Sequence, residues 1–225
     1  PGLLYLSLPI TWLKSINDYT GLDEITLRMV PALCGTLLII SLLLFKKLIG
    51  TAGVVVAIWL SALSPMHVYY SRYFIMEMPL VTILSIFIFC CWKYFYNEKF
   101  RWMLGAGICC AFMHATKETF IISVTALVIA VTVLFIWEEI TGRKGARLQT
   151  GMLIKNTGIS IGITLLISAA LYSLLFTNTE AIGQSYLTYF DYLLSLIHIS
   201  EPTRLLSISD AGVCLKKKKG GGGGG

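Results

Sequence analysis

The chain is a succession of long apolar runs separated by short polar connections. About 20 apolar residues in a helix cross the roughly 30 Å of bilayer hydrocarbon, so each long run predicts a membrane-spanning helix. The run at 52–63 reaches that length only by continuing through residues 64–70. The predicted spans are residues 25–45, 52–70, 78–96, 102–115, 119–137 and 156–176. This pattern predicts an all-α, polytopic transmembrane helical bundle with about six spans.

The first apolar run, residues 2–13, is too short to cross a membrane. It contains Pro9 and Trp12, and a polar stretch at residues 14–24 follows it. Tryptophan is enriched where a membrane meets water. This run therefore predicts a helix that lies along the membrane interface.

The composition also indicates a membrane protein. Charged residues make up 13% of the 225 residues, about half their share of roughly 25% in soluble domains. Hydrophobic residues make up 56%, and the mean hydropathy is +0.77. The cysteines at 34, 90, 91, 109 and 110 lie inside apolar runs without a CxxC spacing, so we interpret them as packing residues.

The net charge of +6 is unevenly distributed over the predicted loops. Within residues 1–193, nine Lys and Arg residues fall at one end of the spans and four at the other. The positive-inside rule makes the first end cytoplasmic, so the charge indicates membrane orientation and no nucleic-acid partner. The nine are Lys46, Lys47, Lys93, Lys99, Arg101, Arg143, Lys144, Arg147 and Lys155, and the four are Lys14, Arg28, Arg72 and Lys117.

A polar stretch, residues 64–77, separates two of the apolar runs. It holds a Pro, a His, three Tyr, Arg72 and Glu77, and ionised groups are costly in hydrocarbon without a function or a partner. Arg72 and Glu77 are five residues apart, about 140° around a continuous helix, so a break between them is needed to bring both to one site. Because Glu77 comes directly before an apolar run, we expect it near the positive end of a helix.

The predicted topology brings further polar residues to the same outer end. They include His114, Lys117 and Glu118, with Thr116 as a candidate N-cap of the next helix. Simpler interpretations stay open for each group. Arg72 and Arg28 can anchor to lipid headgroups, Lys117 and Glu118 can form an ordinary helix-end pair, and His114 can be a hydrogen-bonded interfacial residue.

Five short motifs in order resemble the membrane-embedded GT-C glycosyltransferases. The likeness is to the prokaryotic family related to dolichyl-phosphate-mannose–protein mannosyltransferases, whose members are often labelled flippase-activity-associated proteins. It covers roughly residues 1–125. The motifs are PGLLY at 1–5, TLRMVPAL at 26–33, LSP at 63–65, YYSRY at 69–73 and ATKET at 115–119.

The resemblance implies transfer of a mannose-like sugar from a polyprenyl-phosphate donor to a protein, glycan or lipid acceptor outside the cell membrane. It also implies an acidic pair in a first outer loop upstream of Pro1, so residues 1–193 are expected to be a truncated, inactive piece of the enzyme. Within them, Glu77 is the candidate catalytic carboxylate, and Arg72 and Lys117 are candidate donor-phosphate ligands. Tyr70, His114, Glu118 and Arg28 are candidate supporting residues. A divalent metal cofactor is left open.

Two other functions use the same residues. A transporter or flippase of polyprenyl-linked sugars would bind the phosphate without a reaction. In a non-catalytic membrane subunit the charges would only pair with one another. An acidic pair in the first outer loop of the full-length protein favours the transferase.

Residues 194–225 have a different character. Residues 194–204, LSLIHISEPTR, match in order the translation of a transposon-type sequencing adaptor. Residues 208–215 resemble the outer adaptor with three changes, and runs of Lys and Gly follow. We therefore interpret 194–225 as translated adaptor DNA, with a basic flexible tail as the alternative.

Overall fold

The computed structural model describes residues 2–14, 23–141 and 150–173, together with Gly183 and Leu187. The chain divides into two units, Pro1–Thr179 and Glu180–Gly225, and all the helices below belong to the first. The predicted charged loop with Arg143, Lys144 and Arg147 lies outside the described residues. So do nearly all of residues 174–225, including the whole adaptor-like segment.

The described residues are helical, without strands, which confirms the all-α prediction. They form eight α-helices and one 3-10 helix, Leu42–Phe45. The α-helices are α1 Gly2–Leu13, α2 Glu24–Ser41, α3 Lys46–Leu63, α4 Pro65–Arg72, α5 Glu77–Asn97, α6 Phe100–Thr116, α7 Phe120–Thr141 and α8 Thr150–Tyr172.

Four stretches of the described chain are long and apolar enough to cross a membrane. They are Glu24–Leu63, Glu77–Asn97, Phe120–Trp137 and Gly151–Tyr172. The first contains the predicted span 25–45 and residues 52–63 of the next, because α2 continues through the 3-10 helix into α3. The predicted continuation of that second span through residues 64–70 is wrong, since the helix ends at Leu63 and Ser64 is extended. Gly50 then kinks α3 with φ 76°, a conformation that glycine adopts at little cost. The fourth predicted span corresponds to α6, which has 17 residues and is too short to be counted among these four stretches.

Interhelical contacts fix the direction of each helix. Polar pairs and ring contacts along α2 and α5 follow the same order, so these two helices run in parallel. Going along them, Cys34 O accepts from Thr82 Oγ1, the Ser41 and Ser85 hydroxyls bond at 2.8 Å, and the Phe45 and Phe89 ring centroids lie 5.9 Å apart.

Helix α6 runs antiparallel to α5, and α8 runs parallel to α6. Phe89 and Trp102 pack edge to face near the end of α5, with ring centroids 5.6 Å apart. Along α8, Ser160 Oγ donates to Met103 O and Thr164 Oγ1 donates to Gly107 O. The start of α5 and the ends of α6 and α8 are therefore on one side of the first unit, as the predicted order of spans requires.

The main apolar core lies between α5 and α6. Its buried residues are Leu80, Phe87, Cys90, Ala106 and Met113. Cys91, Cys109 and Cys110 pack around it as partly buried side chains, as expected for packing residues.

Helix α1 packs against α2, α6 and α8. Leu3 and Ile10 form a second buried cluster with Val30 of α2, and Phe74 packs against it. Tyr5 Oη donates to Leu171 O over 3.0 Å, so α1 also reaches α8. Its predicted place along the membrane interface stays a prediction.

Candidate functional site

The polar stretch 64–77 folds as a short helix followed by a break. The Ser64 hydroxyl caps α4 by accepting from His67 N–H at 3.4 Å, and Pro65 occupies the first helical turn, where its missing N–H costs nothing. The helix ends at Arg72, since Tyr73 is extended with φ −107° and ψ 145°. Helix α5 begins at Glu77. The break that a shared site for Arg72 and Glu77 would need is therefore present.

Glu77 and Lys117 form an ion pair between the start of α5 and the end of α6. Lys117 Nζ donates to Glu77 Oε1 over 2.5 Å. The Lys117 side chain is 36% exposed and the Glu77 side chain 33%, so water reaches part of the pair. Lys117 follows α6 in an extended conformation, and its side chain reaches the start of α5. Glu77, in the first turn of α5, also lies near the positive end of that helix.

The second carboxylate oxygen of Glu77 is in a different environment. Oε2 is buried and has no hydrogen-bond partner among the described residues. A buried acceptor without a donor costs about 1–3 kcal/mol, so such groups are rare away from functional sites. The geometry therefore holds one oxygen of Glu77 and leaves the other for a donor from outside the described chain.

Arg72 and Tyr70 lie close to Glu77 in the sequence, but they are not part of the Glu77–Lys117 ion pair. Arg72 is exposed in the last turn of α4, and within the described part of the chain it forms no ion pair. Tyr70 is half-buried and packs edge to face with Tyr69, with ring centroids 5.4 Å apart. The structure thus brings Glu77 and Lys117 together. It leaves Arg72 as an exposed cation five residues before Glu77.

Arg28 contacts Glu24 and Tyr73 and does not reach the Glu77–Lys117 pair within the described residues. It pairs with Glu24 one helical turn earlier, and its guanidinium lies 5.7 Å from the Tyr73 ring centroid. Through Tyr73 it contacts the segment that joins α4 to α5. This position is compatible with a supporting role and with an anchoring role.

His114 is buried between α6, α7 and α8. Its Nδ1 shares a hydrogen bond with Ser168 Oγ, and its ring packs 5.1 Å from Phe120 and 4.9 Å from Tyr172. Tyr172 Oη donates to the His114 carbonyl over 3.0 Å. These contacts describe a packing and positioning residue one helical turn before Lys117.

The turn between α6 and α7 differs from the prediction in one respect. The Thr116 hydroxyl donates to Phe112 O within α6, so Thr116 ends that helix and does not cap the next one. Glu118 is half-buried in this turn, and the described residues offer it no ion-pair partner.

Sequence reasoning missed the contribution of α1 to this end of the molecule. A Cβ on Gly2 would lie 2.8 Å from Thr116 Oγ1 and 2.9 Å from the Ala115 carbonyl, so only glycine allows this approach. Lys14 Nζ at the far end of α1 donates to Thr26 Oγ1 over 2.7 Å. No local pattern signals these contacts, because they join residues that are distant in the chain.

The described residues offer no group of three or more His, Cys, Asp or Glu side chains that could hold a metal ion. A divalent metal therefore has no assigned ligands in this part of the chain. Its involvement stays a prediction.

Comparison with known proteins identifies the family. The model of the dolichyl-phosphate-mannose-protein mannosyltransferase family matches residues 5–180. No curated protein and no solved structure gives a significant match. The match includes α1 from Tyr5 onward, the polar stretch 64–77 and the α6–α7 turn. The chain therefore belongs to the dolichyl-phosphate-mannose-protein mannosyltransferase family, of the GT-C type.

Proposed function

We propose that this protein transfers a mannose-like sugar from a polyprenyl-phosphate donor to a hydroxyl group of a protein, glycan or lipid acceptor. Family membership supports a membrane glycosyltransferase of the mannosyltransferase kind. The finer proposal places the reaction at the extracytoplasmic side of the cell membrane, where Glu77 and Lys117 meet. The nine-to-four distribution of Lys and Arg supports that orientation.

The observation that carries the proposal is the asymmetric environment of the Glu77 carboxylate. Lys117 fixes Oε1, while Oε2 is buried and accepts no hydrogen bond from the described chain. An acceptor hydroxyl can supply the missing donor once the bound substrates displace the groups that cover Oε2. Glu77 then acts as general base in a direct displacement.

The displacement balances without a further reactant. The acceptor oxygen forms a bond to the anomeric carbon of the sugar as the bond from that carbon to the phosphate oxygen breaks. The bonding electron pair leaves with the polyprenyl phosphate, and the acceptor proton passes to Glu77. Negative charge therefore develops on the phosphate, where cationic donors lower the barrier.

Lys117 and Arg72 supply those donors in the proposal. A lysine ammonium has three N–H donors, and the structure uses one of them for Glu77. Arg72 is exposed and unpaired within the described residues, so its planar guanidinium is available to hold a phosphate in two places.

The test measures sugar transfer from a synthetic polyprenyl-phosphate mannose by the full-length protein, normalised to correctly inserted enzyme. Glu77→Gln keeps the side-chain shape and removes the base, so turnover should fall far more than folded protein does. Arg72→Lys should weaken donor use, and Arg72→Ala should weaken it further. Loss of one such charged contact costs about 2–4 kcal/mol, or roughly thirty- to a thousand-fold in rate.

A non-catalytic subunit would also contain this ion pair. Exchanging the two charges therefore tests whether Glu77 and Lys117 act in catalysis or only stabilise the fold. The double variant Glu77→Lys, Lys117→Glu should restore the stability lost in each single variant. It should not restore sugar transfer. Parental transfer rates in Glu77→Gln and Arg72→Ala would refute the proposal. Movement of the lipid-linked sugar across the membrane without transfer would instead identify a flippase.

A further inference from the structure

A second group of unusual side chains lies at the end of α5 and α6 opposite Glu77. We call it the cation–aromatic cluster, and it consists of Phe89, Trp92, Lys93, Arg101 and Trp102. Lys93 Nζ lies 5.0 Å from the Trp92 ring centroid, 5.6 Å from that of Phe89 and 6.0 Å from that of Trp102. The Arg101 guanidinium lies 5.3 Å from the Trp102 centroid. Two cations therefore converge on one indole ring.

No carboxylate in the described chain neutralises these two cations. The ion pairs of the described residues involve Arg28 and Lys117, both at the other end of the molecule. Glu98 lies in the turn between α5 and α6 but forms no ion pair with Lys93 or Arg101. Lys46, Lys47 and Lys99 add exposed positive charge near this end. Among the described residues, the cluster thus has two cations without an anionic partner.

Packing alone holds the rings that position these cations. Trp102 packs edge to face with Phe89 at 5.6 Å, and Phe89 in turn contacts Phe45 at 5.9 Å. The Trp102 indole N–H is buried and has no acceptor among the described residues. Lys93 and Arg101 therefore contact the face of the Trp102 indole, and its N–H forms no hydrogen bond within the described chain.

The surroundings of the cluster are apolar and open. Leu44, Ile88 and Phe100 are 42%, 39% and 41% exposed on neighbouring turns. A soluble phosphate ion would gain nothing from these side chains. A phospholipid would cover them with its acyl chains while its headgroup phosphate contacts the cations.

We propose that the cation–aromatic cluster is a binding site for the headgroup phosphate of an anionic phospholipid. Lys93 and Arg101 provide the charged hydrogen-bond donors, and the rings of Phe89, Trp92 and Trp102 hold these donors at the depth of the headgroup. The site is separate from Glu77 and Lys117, so it does not depend on the proposed transfer reaction. It would fix the depth of the α5–α6 hairpin in its leaflet.

The experiment measures lipid binding to the purified full-length protein in detergent. Phosphatidylglycerol is titrated with native mass spectrometry as the readout, and phosphatidylcholine and inorganic phosphate serve as comparison ligands. Phosphatidylglycerol should bind in preference to both. Lys93→Gln and Arg101→Gln should each weaken that binding by about fivefold, the effect of one cation near an anionic surface.

Matched variants distinguish a specific lipid-binding site from non-specific electrostatic attraction between the protein and anionic lipid. Lys155→Gln removes an exposed positive charge of α8 that contacts none of the cluster rings, and it should leave binding unchanged. Trp102→Phe keeps an aromatic face and should retain binding, whereas Trp102→Ala should weaken it. An equal loss in Lys155→Gln, or equal binding of phosphatidylcholine, would overturn the proposal. Displacement of the lipid by inorganic phosphate at equal concentration would also overturn it, by identifying a site for free phosphate.

Discussion

Lys117 Nζ lies 2.5 Å from Glu77 Oε1, although 40 residues separate the two in the chain. This ion pair closes the open end of the α5–α6 hairpin, opposite the turn at residues 98–99. The edge-to-face contact of Phe89 with Trp102 closes the hairpin near its other end. Two opposite charges therefore hold together the two segments that contribute the candidate catalytic residues.

The first prediction concerns the energy of that ion pair. Glu77→Gln and Lys117→Gln should each destabilise the protein, because each leaves a partly buried charge without its partner. The double variant should cost less than the sum of the two single changes, by about 1–2 kcal/mol. Unfolding of all four proteins in detergent, followed by intrinsic fluorescence, measures this coupling. Strictly additive effects would show that the two side chains do not interact.

The second prediction concerns His114. Ser168→Ala removes its hydrogen-bond partner on α8 and should destabilise the protein by about 1–2 kcal/mol. Sugar transfer per folded molecule should remain near the parental value, because this bond positions α6 against α8. Thr132→Ala, which loses only a bond within α7, is the control and should be nearly neutral. A large loss of transfer with unchanged stability would assign His114 to the chemistry instead.

The third prediction concerns the close approach of α6 and α8. A Cβ on Gly107 would lie 2.6 Å from Ser160 Oγ and 2.9 Å from the Ser160 carbonyl oxygen. Gly107→Ala should therefore force the helices apart and cost about 1–3 kcal/mol. Gly158→Ala meets nothing within 4 Å and should stabilise α8 by about 0.5–1 kcal/mol. Thermal unfolding measures both, and a stabilising Gly107→Ala would contradict the packing described here.

The fourth prediction concerns orientation. After the native cysteines are replaced, Thr119→Cys should react with a membrane-impermeant thiol reagent applied to intact cells. Lys99→Cys, at the opposite end of α6, should react only after the cells are opened. Both positions are exposed, so accessibility within the protein does not bias the comparison. Reversed labelling would place the Glu77 site in the cytoplasm and contradict the proposed side of the reaction.

Part of the site could be predicted because span order alone determines which end each loop occupies. Glu77 and Lys117 are separated by two predicted spans, so both were expected at one end, and the structure pairs them. Helical geometry also indicated that Arg72 and Glu77 could share a site only if the helix breaks between them, and it does. These inferences use one-dimensional information, which a sequence supplies directly.

Lateral packing could not be predicted in this way. Thr116 was interpreted as an N-cap, but its hydroxyl bonds back to Phe112, a choice that depends on the conformation of Lys117. The contact of Gly35 with Ser71 likewise depends on how closely α2 and α4 approach each other. Such contacts can be predicted only if the neighbouring helix is known, and the hydropathy pattern does not identify that helix.

The fifth prediction concerns residues 194–225. Amplification of the gene from source DNA, without library adaptors, should give a different sequence after about residue 193 that continues into further apolar spans. The adaptor match at 194–204 is the reason for this expectation. Recovery of the sequence IHISEP from genomic DNA would refute it and restore these residues as a native tail.

The contacts of α1 have a consequence for how the chain assembles during its synthesis. The Tyr5 hydroxyl bonds to a carbonyl 166 residues later, and Gly2 packs on the end of α6. A ribosome adds about 5–20 residues per second, so roughly ten to thirty seconds pass before α8 emerges. Helix α1 is made well before α8, but it can complete these contacts and reach its final position only after α8 has been synthesised.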